Sequence, residues 1–279
     1  MQKNQITIGA QMKVTLITSC FNREKTIADA IQSVLHQDYD NIEYIIVDGK
    51  SKDSSFQIIQ NTVKDNPHNF DIKIISEPDH GMYEALNKGI RLATGDVIGV
   101  VHSDDFLYDN HIVSRIVDCF EKTSADFVYG DGIFVRENDT KKVVRRWISG
   151  KYSRLKIRFG WLPLHPTCYI KKEMIDHEGL YDESYRIAAD TDLLVRYLYY
   201  GFGYSNQGEK RPLKVSYLNQ FIVKMRMGGL STDPLKRKQM WNEDIRVYRG
   251  HGFFPARLIK MMKMAWKVPQ FVMAKIKKT

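Results

Sequence analysis

The 279-residue chain reads as an α/β protein: a mostly parallel mixed sheet flanked by helices, followed by a basic amphipathic helical extension. Three observations carry this reading. Short β-branched runs alternate with segments whose apolar residues recur at helical spacing, the pattern of parallel strands joined by crossovers. Polar clusters follow these strands repeatedly, so they collect along one rim of the sheet, where open α/β sheets bind ligands. Hydrophobic residues make up 43% of the chain, enough for a sizeable core.

The first strand is predicted over residues 14–19. The helix after it carries Ile27, Ala30, Ile31, Val34 and Leu35 on one face, with Asn22 as its candidate cap. A second strand covers 42–47, and Asp53 can cap the next helix, with Phe56, Ile59 and Val63 as its stripe. A third strand, 72–75, leads through Asp79 and His80 into a helix with Met82, Ala85, Leu86 and Ile90 inward. The fourth strand lies within 96–101, is uncharged after Asp96, and stops at His102-Ser103-Asp104-Asp105. Adjacent carboxylates repel and cost desolvation unless a cation joins them, so this stretch is either a hard-metal site or a solvated loop. A helix with Ile112, Ile116, Cys119 and Phe120 follows, then a strand over 127–129. Beyond Gly132 the expected strands are 143–148, 167–170 and 215–225, with a helix starting at Leu193 just after Asp190-Thr191-Asp192.

No G-x-x-x-x-G-K-[ST] or G-x-G-x-x-G follows the first strand, so Walker-type and Rossmann-type nucleotide binding is set aside. Cys20, Cys119 and Cys168 are odd in number and far apart, which argues for a reducing compartment and against a zinc site. Residues 1–12 lack the apolar segment of a signal peptide, and Met12 is a candidate start. No run is long enough to span a bilayer. The formal net charge of +9 fits nucleic acid, an anionic membrane or a phosphorylated substrate. Its distribution favours the membrane. From Arg257 onward Lys260, Lys263, Lys267, Lys275, Lys277 and Lys278 interleave with Leu258, Met261, Trp266 and Phe271, without an acid. The alternative is a basic solvated tail with a core-facing stripe. The expected division is 13–232 for the main domain and 233–279 for the extension.

The ordered motifs resemble those of the family-two glycosyltransferases, which have the GT-A fold. They are Thr18-Ser19-Cys20-Phe21-Asn22-Arg23, Val47-Asp48-Gly49, Glu77-Pro78-Asp79-His80-Gly81, Leu86-Asn87-Lys88-Gly89, His102-Ser103-Asp104-Asp105, Ala189-Asp190-Thr191-Asp192 and Arg226-Met227-Gly228-Gly229-Leu230-Ser231. The likeness spans roughly residues 13–231 and looks closest to bacterial enzymes of capsule, exopolysaccharide or lipopolysaccharide synthesis.

The resemblance implies an inverting transfer from a nucleotide-sugar donor, a UDP-sugar, to a saccharide or lipid-linked saccharide at the cytoplasmic membrane face. Thr18, Asn22 and Asp48 would seat the nucleoside; Gly49 stands where the family often has a second Asp. Asp79 and Lys88 would lie near the donor sugar and diphosphate. His102 replaces the first Asp of the D-x-D motif, which leaves Asp104 as metal ligand for Mg²⁺ or Mn²⁺, with Asp105 supporting. His102 and Ser103 would face ribose or phosphate. Asp190 matches the family's general base, although Ala189 replaces the preceding Glu; Asp192 is its alternate, and either could simply cap the helix. Trp161 and His165 would form the acceptor side, or pack in the core. Arg226 would reach the diphosphate from a glycine loop that could equally be an ordinary turn. A sugar nucleotidyltransferase is the alternative enzyme, but it needs a Gly-rich loop absent from residues 18–23. A nucleic-acid-binding protein leaves the carboxylates unexplained.

Overall fold

The computed structural model describes residues 11–205, 207–228 and 234–268. Four parallel strands form one half of the main sheet: β1 (Val14–Cys20), β2 (Ile42–Asp48), β3 (Asp71–Ser76) and β4 (Val97–Val100). They are joined by α1 (Ile27–Leu35), α2 (Ser55–Thr62) and α3 (Met82–Leu92). The short β5 (Phe106–Leu107) and α4 (Ile112–Thr123) precede β6 (Phe127–Arg136) and β7 (Asp139–Trp147). Next come α5 (Arg154–Arg158), β8 (Tyr169–Lys171), α6 (Lys172–Glu178) and α7 (Ala189–Val195). A small hairpin of β9 (Gly203–Tyr204) and β10 (Lys210–Arg211) leads to β11 (Val215–Arg226), α8 (Arg237–Gly250) and α9 (Ala256–Ala265). The strand order is β3-β2-β1-β4-β8-β6-β11-β5, with β7 paired to the far half of β6. β8, β7 and β5 run against the rest, so the sheet is mixed as expected.

Successive residues of β1 and β2 enter two different apolar layers. Leu16, Tyr44 and Ile46 pack with α1 and α4, whereas Ile17, Ile45 and Val47 pack with α3. Burial on both faces is why these strands read as unbroken apolar runs. Cys20, Asp48 and Ser76 pair in register and end their strands at one level, which forms the expected rim.

Four expectations are corrected. Asn22 does not cap α1: it sits in the left-handed region at φ 52° and its Oδ1 accepts the Lys52 N–H at 2.8 Å. It thus ties the first crossover loop to the second. The strand expected over 127–129 runs to Arg136. Gly130 and Gly132 lie inside it: a Cβ there would lie 2.6 Å from Ile222 and 2.4 Å from Leu164, so glycine serves close packing inside β6. Helix α7 starts at Ala189, so Asp190 and Asp192 lie in its first turn rather than before it.

The fourth correction concerns the C-terminal extension. Val247, Tyr248 and Phe253 join Ile17, Val100 and Leu194 in one apolar cluster, with Ala256 and Ile259 of α9. Two cations of α9 also face inward, while Arg257 is exposed. Lys260 is 1% exposed and pairs with Asp244, and Lys263 pairs with Asp244 at 2.8 Å. Leu258, Met261, Met264, Trp266 and Val268 are among the residues turned to solvent, together with Phe254 and Arg257. The amphipathicity is real, but the charged face is the buried one, because Asp244 on α8 supplies a partner no periodicity can reveal. Residues 269–279, including Pro269, Phe271, Lys275, Lys277 and Lys278, fall outside the described residues.

Candidate active site

A cleft of about 900 Å³ opens at the carboxyl rim of the sheet. It is lined by Cys20 after β1, Asp79 after β3, His102 to Asp105 after β4, Trp161 and His165, Asp190 of α7, and Arg226 at the end of β11. Residues from six separate stretches of chain therefore converge, as the rim pattern demanded.

At one end stand three carboxylates. Asp105 is 3% exposed and accepts the Arg226 backbone N–H at 3.0 Å. Burial and then the adjacent Asp104 charge push its carboxyl well above the ordinary range. Arg226 is buried over the Phe106 ring, donates to the Asp104 carbonyl at 2.9 Å, and pairs with Asp29 of α1. It braces the turn that aims Asp104 into the cleft. Asp79 accepts the Gly81 N–H at 2.9 Å, and burial raises its carboxyl. A Cβ at Gly49 would lie 2.3 Å from the Asp79 carboxylate, so the glycine leaves that carboxylate its place. Among the described residues no group of three or more His, Cys, Asp or Glu side chains could cage a metal. Asp104 with Asp105 nevertheless fits Mg²⁺ or Mn²⁺, which take one or two carboxylates and complete their shell with phosphate oxygens. A cation would also relieve the repulsion recorded at Asp105.

The middle of the cleft holds His102, His165 and Asp190. The imidazoles lie 6.0 Å apart between centroids, and burial lowers both, His165 to about 4. His165 shares a 2.7 Å hydrogen bond between its Nε2 and the Tyr181 hydroxyl. The Asp104 and Asp190 charges both oppose the effect of burial at His102. Asp190 accepts its neighbour Thr191's N–H at 2.7 Å. The C-terminal helices brace this turn from three sides. Glu243 accepts the Ile187 and Ala188 N–H groups at 2.8 and 3.0 Å. Lys263 donates to Thr191 Oγ1 at 2.7 Å, and His251 meets Asp192 at 2.8 Å.

Of the other candidates, Thr18, Asn22, Asp48, Lys88 and Asp192 are not part of the cleft lining, whereas Ser103 and Trp161 are. Thr18 is buried and donates to the Val101 carbonyl at 2.7 Å. Asp48 is buried behind Ser51 and Ser76, accepting the Ser76 hydroxyl at 2.6 Å; it acts on Asp79 rather than opening to the cavity. Asn22 joins two loops. Lys88 pairs with Glu77 and Glu84 at 3.0 and 3.1 Å and donates to the Pro78 carbonyl. Asp192 is 6% exposed and engaged by Arg196 and His251, which hold its carboxyl low against the effect of burial. Ser103 lines the cleft while its carbonyl accepts the Thr26 hydroxyl at 2.8 Å. Trp161 lines it too, its indole N–H donating to the Ser149 carbonyl at 3.0 Å.

Sequence reasoning missed the opposite end of the cleft, formed by Arg145 and Trp147 of β7, Lys156 of α5, and Lys263, Trp266 and Lys267. The only signal was the spacing of Lys260, Lys263 and Lys267 along one helical face, and that was assigned to a membrane surface.

The class of protein follows from this geometry: a GT-A-like sheet whose carboxylates meet at one rim. The model of the family described as "Glycosyl transferase family 2" matches residues 15–177. The chain belongs to that family and is a glycosyltransferase. It is 26% identical over 183 residues to a PGL/p-HBAD biosynthesis glycosyltransferase of Mycobacterium bovis, covering 65% of this chain and 68% of that one. It is 30% identical over 189 residues to the uncharacterized glycosyltransferase EpsJ of Bacillus subtilis, covering 64% and 54%. Among solved structures, S. aureus TarS 1-349 in complex with UDP-GlcNAc superposes with TM-score 0.65 at 15% identity, over 95% of this chain and 74% of that one. The likeness to TarS shows a shared fold.

Proposed function

We propose that the chain is an inverting glycosyltransferase. It moves a sugar from a nucleotide-sugar donor, a UDP-sugar, to a saccharide or lipid-linked saccharide in cell-surface polysaccharide synthesis. The observation that carries this is the single cleft shared by Asp79, Asp104 and Asp190. Asp104, with Asp105 behind it, would hold Mg²⁺ or Mn²⁺, which when bound neutralises charge on the donor diphosphate. TarS was solved with UDP-GlcNAc, and a mannosyltransferase from Pyrobaculum calidifontis with GDP-Man and Mn²⁺, which supports a nucleotide-sugar at this rim.

Asp190 takes the proton of the acceptor hydroxyl as that oxygen attacks the anomeric carbon. The bond to the diphosphate breaks on the opposite side, so configuration inverts. A placed carboxylate contributes about 10²–10⁴-fold to such a step. Asp192 orients α7 through His251 and Arg196 and takes no proton. His102, neutral by burial, faces the donor as a hydrogen-bonding group. Asp48 acts through Ser51, Ser76 and Asp79, and Thr18 and Asn22 shape the floor of the nucleoside side. Lys88, held by two glutamates, sets the turn that carries Asp79. Trp161 and His165 wall the acceptor half.

Residues 234–268 brace Asp190 and serve as a membrane contact. Phe254, Leu258, Met261 and Val268 present an apolar stripe to solvent on a chain of net charge +9, which suits an anionic membrane surface. No helix among the described residues is long and apolar enough to cross a membrane. A nucleotide-release screen over UDP-, GDP- and dTDP-sugars with Mn²⁺ tests the donor assignment. Wild type should release UDP and Asp104→Ala should not; equal release by both would remove Asp104 from the site.

A further inference from the structure

The two longest acid-free stretches of the chain meet on one face. No Asp or Glu lies between Asp139 and Glu173, and none follows Asp244. The first stretch contributes α5 and Phe159; the second contributes the loop after α8 and helix α9. Direct contacts join them. The Trp266 indole N–H donates to the Phe159 carbonyl at 3.0 Å, and a Cβ at Gly160 would lie 2.7 Å from the Ile259 carbonyl oxygen. On the other side the Arg154 guanidinium stands 5.3 Å from the Tyr199 ring centroid, and that ring 4.8 Å from Phe253. The Tyr200 hydroxyl donates to the His251 carbonyl at 2.5 Å. We propose that α5 and α9 together form a docking surface for a bilayer carrying anionic lipid, with the cleft opening beside it. This surface rests on the membrane contact given above for residues 234–268 and extends it: a second limb comes from within the family-matched residues 15–177.

Both limbs present the chemistry such a surface needs. Leu155 of α5 is 65% exposed, and Phe159 is exposed one turn on. Phe254, Leu258, Met261 and Trp266 are exposed on the second limb. Arg154 precedes Leu155, Arg158 precedes Phe159 and Arg257 precedes Leu258; all three arginines are exposed. The acids that bond to the second limb are withdrawn from the surface. Asp192 is buried and held by His251, and Asp244 is buried and held by Lys260 and Lys263. Large apolar side chains grouped in solvent mark a partner surface. Arginines among them with no carboxylate suit lipid phosphates, and an exposed tryptophan suits the headgroup level. A nucleic acid would use the cations but leave Leu155, Phe254 and Met261 in water. The same two elements and the residues just after them supply Lys156, Gly160, Trp266 and Lys267 to the cleft wall. A chain docked by both limbs therefore opens its cleft at the bilayer, where an acceptor carried on a lipid is confined.

Flotation of the full chain with phosphatidylcholine vesicles, with and without phosphatidylglycerol, tests the surface. The wild type should bind the anionic vesicles at least about tenfold more tightly than the neutral ones, and high salt should remove the difference. One arginine near an anionic surface is worth about fivefold, so Arg154→Gln combined with Arg158→Gln should weaken binding about 25-fold. Leu155→Ser should weaken it about tenfold, whereas Leu92→Ser, at an exposed leucine of α3, should leave it unchanged. UDP affinity, measured by calorimetry, should stay within about twofold in all of these variants, since none of the four side chains lines the cleft. Binding weakened by Leu258→Ser but untouched by the α5 variants would overturn the second limb and leave the membrane contact of residues 234–268 standing. No vesicle binding by the wild type would sink both. Equal binding of neutral vesicles would overturn the proposal. So would self-association without vesicles that Leu155→Ser abolishes, which assigns the face to a second copy. Capture of a single-stranded oligonucleotide that anionic vesicles do not displace would assign a nucleic acid and overturn it too. The UDP titration of the wild type scores the transferase reading separately.

Discussion

Replacing Asp244 with asparagine tests whether the C-terminal helices belong to the core or merely adjoin it. Asp244 is 2% exposed and lies between Lys260 and Lys263. Burial alone would raise its carboxyl, yet the two ammoniums hold it at about 2 instead of the usual 3.8. At about 1.4 kcal/mol per pKa unit this is roughly 2.5 kcal/mol of stability at neutral pH. The sign follows from a depressed acid. The stability is complete above pH 3.8 and is lost as pH falls through 2. The substitution costs more than this, because two buried ammoniums are left facing one another; about 3–5 kcal/mol is expected for a broken buried pair. The assay is urea unfolding at pH 7, with Asp244→Asn measured alone and combined with Lys260→Met and Lys263→Met. The triple variant should recover most of the loss, since apolar replacement of a whole buried cluster is near neutral. A single-variant loss under about 1 kcal/mol, or a triple variant no better than the single, would refute the argument.

Three further outcomes are expected. Asp190→Asn should lower sugar transfer by about 10²–10⁴-fold while UDP affinity, measured by calorimetry, stays within about twofold; lost UDP binding would mean a structural role. His165 is neutral in the folded chain, held at about 4 against the usual 6.5. The unfolded chain takes up the proton first, so stability is complete above pH 6.5 and declines toward pH 4. His165→Gln should flatten the urea midpoint across that window, and an unchanged slope would contradict the assignment. Gly49→Asp should drive the Asp79 carboxylate from its position, 2.3 Å from the new Cβ, and weaken UDP binding about tenfold without a matching loss of stability.

The legible and illegible parts of this protein divide by the range of the interactions that make them. Strands β1 to β4 and their crossover helices depend on local periodicity, and their boundaries came out within a residue or two. The convergence expected was that of Asp48, Asp104 and Asp190; Asp104 and Asp190 do share the cleft, with Asp79, whereas Asp48 stays behind Ser51 and Ser76. The length of β6 past residue 129 was not legible, because the fit of Gly130 and Gly132 depends on Ile222 and Leu164, which lie far along the chain. The inward face of α9 was hidden for a similar reason. Lys260 and Lys263 are buried by an acid on another helix, and burial of a charge depends on its partner. Asp192 stood as the alternate to Asp190 because they are two residues apart; the helical turn between them directs it to Arg196 and His251. Arg145 carried no local signal, and the helical spacing of Lys263 and Lys267 gave no sign that they line the cleft.

The central claim is that a metal-held donor and the base Asp190 share one cleft. Calorimetric titration of UDP with and without Mn²⁺ into wild type, Asp104→Ala and Asp190→Asn tests it most directly. Manganese-dependent binding by wild type and Asp190→Asn, with its loss in Asp104→Ala, is the predicted result. Manganese-independent binding, or equal binding by Asp104→Ala, would contradict it.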